Sequence, residues 1–151
     1  MALGAVLSLL VLSGSAADPD MDRLLRQPPG KDWLTNGGAL TDQWYSTLTQ
    51  INTANVKNLK GAWMTRLKGS GYAGKYSFEA TPLVKDGVMY IITGNDDVFA
   101  LDARTGAILW EHWSEINQKI STICCGWDNR GLAMKACGSS ASSTPTSWPW
   151  T

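Results

Sequence analysis

Cys124 and Cys125 stand side by side, and Arg130-Gly131 follows in the spacing C-C-x-x-x-x-R-G. Adjacent cysteines can join only through a small strained ring with a distorted intervening peptide, so such a bridge is rare and specialised. Two other states stay open: bonding elsewhere, or two reduced thiols. Cys137 is the one further cysteine, which leaves an odd thiol in either case. Arg130 brings a planar fork of donors whose chemistry suits bidentate recognition of a carboxylate. Among the acids, Glu79 taken alone reads as a solvated edge carboxylate, while Asp96, Asp97 and Asp128 read as turn or surface residues. His112, the sole histidine, sits beside Trp113 near an expected strand end and is assigned a structural role.

The elements that must position these groups are short strands. Val88-Met89-Tyr90-Ile91-Ile92-Thr93 is the strongest strand signal, and Lys85-Asp86-Gly87 before it is a hairpin turn, because Asp-Gly readily takes positive φ. Gly94-Asn95-Asp96-Asp97 turns again into Val98–Asp102, and Thr105-Gly106 turns into Ala107–Trp113. Phe78–Val84 supplies a strand before these, with Pro82 suited to an edge or strand end. Leu59–Leu67, around Trp63, Met64 and Thr65, is a further β-favouring run. Nothing between the strands provides a crossover helix, so the expected class is all-β, with a four-stranded antiparallel meander. Upstream, a short helix is expected near Met21–Gln27, ended by Pro28-Pro29-Gly30. Trp33–Leu48 reads as loop, and Leu48–Leu59 as a turn-rich connector.

The composition fits this plan and narrows the partners. The chain has 151 residues with 44% hydrophobic content, enough for one modest domain. Acidic and basic residues balance at 13 each, which gives no electrostatic argument for nucleic acid or lipid. Eight tryptophans require packed sites, and fifteen glycines suit many tight turns. Ala5–Leu12 is apolar yet too short to span a bilayer, and Ser13-Gly14-Ser15-Ala16-Ala17 offers a cleavage site. Residues 1–17 are therefore expected to be a signal peptide, although no basic residue precedes Arg23. Export places the chain in an oxidising compartment, the periplasm, where disulfides persist.

Ala100-Leu101-Asp102-Ala103-Arg104-Thr105-Gly106-Ala107-Ile108-Leu109-Trp110 reads as A-x-D-x-x-T-G-x-x-x-W. Asp102 and Thr105 can satisfy turn amides, Gly106 supplies a permissive backbone, and Trp110 offers a ring to dock between sheets. The pattern resembles the tryptophan-docking motif of quinoprotein β-propellers. The run Phe78-Glu79-Ala80-Thr81-Pro82-Leu83-Val84-Lys85-Asp86-Gly87 and the Cys124–Gly131 stretch resemble motifs of the quinoprotein alcohol dehydrogenases that use pyrroloquinoline quinone (PQQ). Trp33-Leu34-Thr35-Asn36-Gly37-Gly38 and Leu48-Thr49-Gln50-Ile51 belong to the same resemblance, which covers most of Asp32–Met134. Trp44 departs from it, at a position where relatives usually carry Arg.

The resemblance implies that Cys124 and Cys125 form a vicinal disulfide against one face of the cofactor. It further implies that Arg130 pairs with a PQQ carboxylate and that Glu79 is another cofactor contact. Family members oxidise alcohols, pass electrons to a cytochrome c, and hold a Ca²⁺ or lanthanide that acts as a Lewis acid. The residues for that metal and for the catalytic base lie downstream of the region covered, so no residue here takes those roles. The expected organisation is a lead-in at 18–58 and an incomplete propeller region at 59–134. That is about one blade of an eight-bladed propeller, with the ring not closed, since a blade needs neighbours on both faces. The Ser-rich tail, 135–151, is expected to arise from a frameshift near Met134, because back-translation in a shifted frame yields a strand-like sequence. The competing assignment is a non-catalytic propeller scaffold or adaptor, which has no use for Cys124-Cys125 with Arg130.

Overall fold

The computed structural model describes residues 19–68, 76–117, 119 and 126–134. Cys124, Cys125 and Cys137, the expected signal peptide and the expected frameshifted tail lie outside the described residues.

Helix α1, Pro19–Arg26, carries Asp20 and Asp22 in its first turn and Arg23 and Arg26 in its last. That arrangement complements the helix dipole at both ends. Past Pro28-Pro29, the chain runs through loops to a single 3₁₀ turn at Val56–Asn58. The sheet follows: β1 (Leu83–Lys85), β2 (Val88–Ile92), β3 (Val98–Asp102) and β4 (Ile108–His112), antiparallel in the order β1-β2-β3-β4. Asp86 at φ 50° and Gly87 at φ 80° make the tight turn between β1 and β2, and Lys85 pairs with Val88 across it. Val98 lies opposite Ile92, and Ala100 lies opposite both Tyr90 and Trp110. A register shift beyond Ala100 pairs Leu101 with Ile108 and leaves Leu109 as an extra residue in β4.

β3 is the heart of the core. Phe99, Ala100 and Leu101 are consecutive and all buried, so both faces of this strand are covered. Trp113 meets Phe99 edge-on at 5.9 Å between ring centroids, and Trp110 lies 6.1 Å from Tyr90. β4, by contrast, has only Trp110 half-buried. On the other side, Trp33 of the lead-in pairs with Val84 through two backbone bonds of 2.7 and 2.8 Å, extending the sheet by one residue beyond β1.

Two expected strands come out differently. Phe78–Val84 contributes only its end to the ladder. Pro82 has no N–H to donate, and Thr81 makes an isolated parallel bridge to Gly131 instead. Leu59–Leu67 forms no strand among the described residues, and Trp63 and Thr65 tie it to the sheet through their side chains. The Trp63 indole N–H donates to the Ala103 carbonyl at 3.2 Å, and the Thr65 hydroxyl donates to the Gly106 carbonyl. β propensity measures fit to a pleated surface, and here the ring is what fits.

Candidate functional site

The docking turn takes its shape from Asp102. Its Oδ1 accepts the backbone N–H of Arg104 at 2.9 Å, that of Thr105 at 2.8 Å, and the Thr105 hydroxyl at 3.0 Å. These donors, the Thr105 N–H foremost, then its hydroxyl and the Arg104 N–H, hold the carboxyl below the usual range. Gly106, at φ 74°, lies under Trp63: a Cβ there would stand 2.4 Å from the indole. The ring that seats on the motif's turn is thus Trp63, while the motif's own Trp110 faces Tyr90.

The chemistry-bearing segment is held by a second set of anchors. Trp127 is 5% exposed and meets Tyr76 edge-on at 5.5 Å, while its carbonyl accepts the Ser77 N–H at 2.7 Å. Gly94 is pressed beneath this pairing. A Cβ on it would stand 2.3 Å from the Ser77 carbonyl and 2.6 Å from that of Trp127. Asn129 donates to Asp96 at 2.7 Å and accepts the Gly131 N–H at 2.9 Å. Parallel bridges join Tyr76 to Trp127 and Thr81 to Gly131, so 76–81 runs beside 127–131.

Glu79 and Arg130 fall between those two bridges. Arg130 lies 3.6 Å from the Glu79 carboxylate and 3.5 Å from that of Asp128, with side-chain exposures of 83% for Arg130 and 47% for Glu79. Ion pairs this exposed contribute about 0–1 kcal/mol, too little to be a stability device. What they do is hold a cation at the mouth of an open cleft. The cleft, about 240 Å³, is lined by Asn36, Thr81, Leu83, Arg130, Gly131 and Leu132, and the Thr81 hydroxyl donates to Asn36 Oδ1 at 2.6 Å.

The structure therefore brings together two of the residues singled out in the sequence, Glu79 and Arg130. Cys124 and Cys125 lie outside the described residues, immediately before the anchored segment. Asn36, Thr81 and Asp128 were not singled out as part of a site, though a signal existed for two of them. In extended chain, residues two apart share a face, which groups Thr81 with Glu79 and Asp128 with Arg130. Asn36 comes from the lead-in and had no such signal. The reading of Asp97 needs one correction. It serves a turn, but it is buried, accepting from Asn95 Nδ2 at 2.8 Å and from the Ser114 N–H at 3.0 Å. His112 lies in β4, opposite Val98. Among the described residues, no group of three or more His, Cys, Asp or Glu side chains could hold a metal ion.

Residues 33–147 match the PQQ family described as glucose/ethanol/alcohol dehydrogenase, β-propeller domain. The chain belongs to this family. It is 38% identical to quinoprotein alcohol dehydrogenase PedH of Pseudomonas putida over 135 residues, which cover 88% of the chain and 22% of that protein. With the dehydrogenase subunit of the quinone alcohol dehydrogenase of Gluconacetobacter polyoxogenes it shares 44% identity over 106 residues, 70% of the chain and 14% of the relative. The solved quinohemoprotein alcohol dehydrogenase of Comamonas testosteroni superposes with a TM-score of 0.63 at 35% identity, covering 79% of the chain and 17% of that structure. The chain thus spans about a fifth or less of the length of these relatives, and its sheet is a fragment of their propeller.

The residues present fit part of what a PQQ-family cofactor needs. Arg130 is an accessible guanidinium at an open cleft, suited to a carboxylate on a planar acid, with Thr81 and Asn36 on the cleft wall.

Proposed function

We propose that the chain is the N-terminal part of a periplasmic PQQ-dependent alcohol dehydrogenase and forms one wall of its cofactor site. The observation that carries this reading is the meeting of Glu79 and Arg130, from separate motifs, at 3.6 Å, with Arg130 on the wall of an open cleft. PQQ, when bound, supplies the acceptor for the hydride of an alcohol. The chain's own residues hold and orient. Arg130 pairs with a cofactor carboxylate, Glu79 sets the position of the guanidinium and contacts the cofactor, and Cys124–Cys125, as a vicinal disulfide, packs against its ring. The buried Trp127 and the close contact at Gly94 fix the backbone that carries Arg130. A Ca²⁺ or lanthanide, the base that takes the hydroxyl proton and the docking surface for cytochrome c belong, in this reading, to residues outside these 151.

Titration of the purified chain with PQQ, followed by tryptophan fluorescence, tests the proposal. The expected result is weak, saturable quenching that Arg130→Gln reduces about tenfold, consistent with loss of a charge-assisted pair, and no alcohol-dependent dye reduction. Absence of saturable quenching, or quenching indifferent to Arg130→Gln, would refute the cofactor contact and favour the scaffold assignment.

A further inference from the structure

Asn36 on the wall of the cleft is followed by a buried glycine, a pairing to which the cofactor reading gives no role. Seven asparagines occur in the chain, and Asn36 is the one followed by glycine; the others precede Thr, Val, Leu, Asp, Gln and Arg. We infer that Asn36-Gly37 is a self-modifying site at which the fold promotes conversion of the asparagine to aspartate or isoaspartate.

Four observations support it. The side chain is exposed, so water and base reach it. Its carbonyl oxygen already has a donor: the Thr81 hydroxyl donates to Oδ1 at 2.6 Å, which leaves Nδ2 as the leaving nitrogen. Its main chain is pinned, because the Trp33 indole N–H donates to the Asn36 carbonyl at 3.3 Å and the Gly38 N–H closes the turn onto the Thr35 carbonyl at 3.0 Å. The nucleophile is uncommitted though buried: the Gly37 N–H donates to no partner among the described residues, so no hydrogen bond has to break before it attacks. Glycine is also required there for packing. A Cβ on Gly37 would stand 1.8 Å from Asp42 Oδ1 and 2.6 Å from Asp42 Cα, so the packing itself excludes a side chain that would shield the amide.

The chemistry is closed on these atoms and water. Hydroxide removes the proton of the Gly37 amide, and its nitrogen attacks Asn36 Cγ. Negative charge develops on Oδ1, where the Thr81 hydroxyl already donates and stabilises it. The Cγ–Nδ2 bond breaks, ammonia leaves, and a five-membered succinimide remains. Water then opens the ring on either side, giving aspartate or isoaspartate with no change of oxidation state. The Gly37 nitrogen and Asn36 Cγ belong to adjacent residues, so the chain itself supplies the proximity such a step needs. The product places a new carboxylate on the wall that also carries Arg130.

Peptide mapping by mass spectrometry, with isoaspartate detection, on the folded chain held at mildly alkaline pH tests this independently of PQQ. The expected result is conversion at Asn36 with the other six asparagines intact, slowed about tenfold by Thr81→Val, as for loss of one donor to a developing oxyanion. Thr81→Ser, which keeps the hydroxyl, should react at the parent rate, and circular dichroism shows that each variant is folded. If the folded chain keeps its amide while the urea-unfolded chain converts, the inference is wrong. Equal rates for the parent and Thr81→Val, or a Thr81→Ser as slow as Thr81→Val, would overturn it as well.

Discussion

The turn at Asp102–Gly106 and the segment Gly126–Gly131 are built from the same parts: an aspartate, polar side chains and glycines at positive φ. Their treatment of those parts is opposite. In the turn, Asp102 Oδ1 takes three donors from its own neighbours, and the Trp63 ring closes over Gly106. In the segment, Trp127 is buried and Asn129 is bonded to Asp96, but Asp128 and Arg130 are left where solvent or a ligand can reach them. The first arrangement spends its polar groups on shape. The second spends its anchors on keeping a cation in place and available. A scaffold and a site can thus be told apart by which atoms are left accessible.

The largest expected effect comes from removing the cover of the turn. Trp63→Ala should cost about 2–3 kcal/mol in urea unfolding, less than a fully buried aromatic because the ring is half-buried. If the loss is no greater than that of an ordinary surface change, Trp63 is not what holds 59–67 to the sheet. Next is Gly94→Ala, which forces a methyl against two backbone carbonyls and should cost about 1–3 kcal/mol. Hydrogen exchange should rise at Ser77, whose N–H bonds Trp127, while β2–β3 amides keep their protection. Uniform loss of protection would mean that the two regions are one cooperative unit.

A smaller effect concerns acid. The Asp102 carboxyl is held below its ordinary range in the folded chain, so its contribution is fully present above the unfolded value, about 3.9, and is lost as pH falls through the folded value. Asp102→Asn should therefore flatten the acid limb of the stability–pH curve and leave its slope near neutrality unchanged, as followed by thermal melts at stepped pH. The smallest effect belongs to the site. Glu79→Gln or Arg130→Gln should change unfolding by less than about 0.5 kcal/mol, because both partners are exposed. A cost above about 1 kcal/mol would place the pair with the scaffold.

Much of the fold was legible because local chemistry decided it. Asp86-Gly87 takes the two positive φ values a tight hairpin needs and sets the register of Leu83–Lys85 against Val88–Ile92, while the Gly94–Asp97 turn brings Val98 opposite Ile92. Leu59–Leu67 misled because branched and aromatic residues signal a surface to pack on, which a tryptophan can satisfy without a ladder. The turn duty of Asp97 was legible, but its burial was not, because its partner Ser114 lies beyond the next strand.

For this protein, the sequence by itself determined the meander, its turns and the family, because each depends on residues close together in the chain or on motif spacing. It also marked Glu79 and Arg130 as separate candidates. Only the tertiary structure decided that they meet, that Asp128 shares the cation, and that Asn36 and Thr81 form the adjoining wall. Those contacts depend on two extended segments running side by side over Gly94. Their proximity comes from packing between distant parts of the chain, which no local pattern encodes.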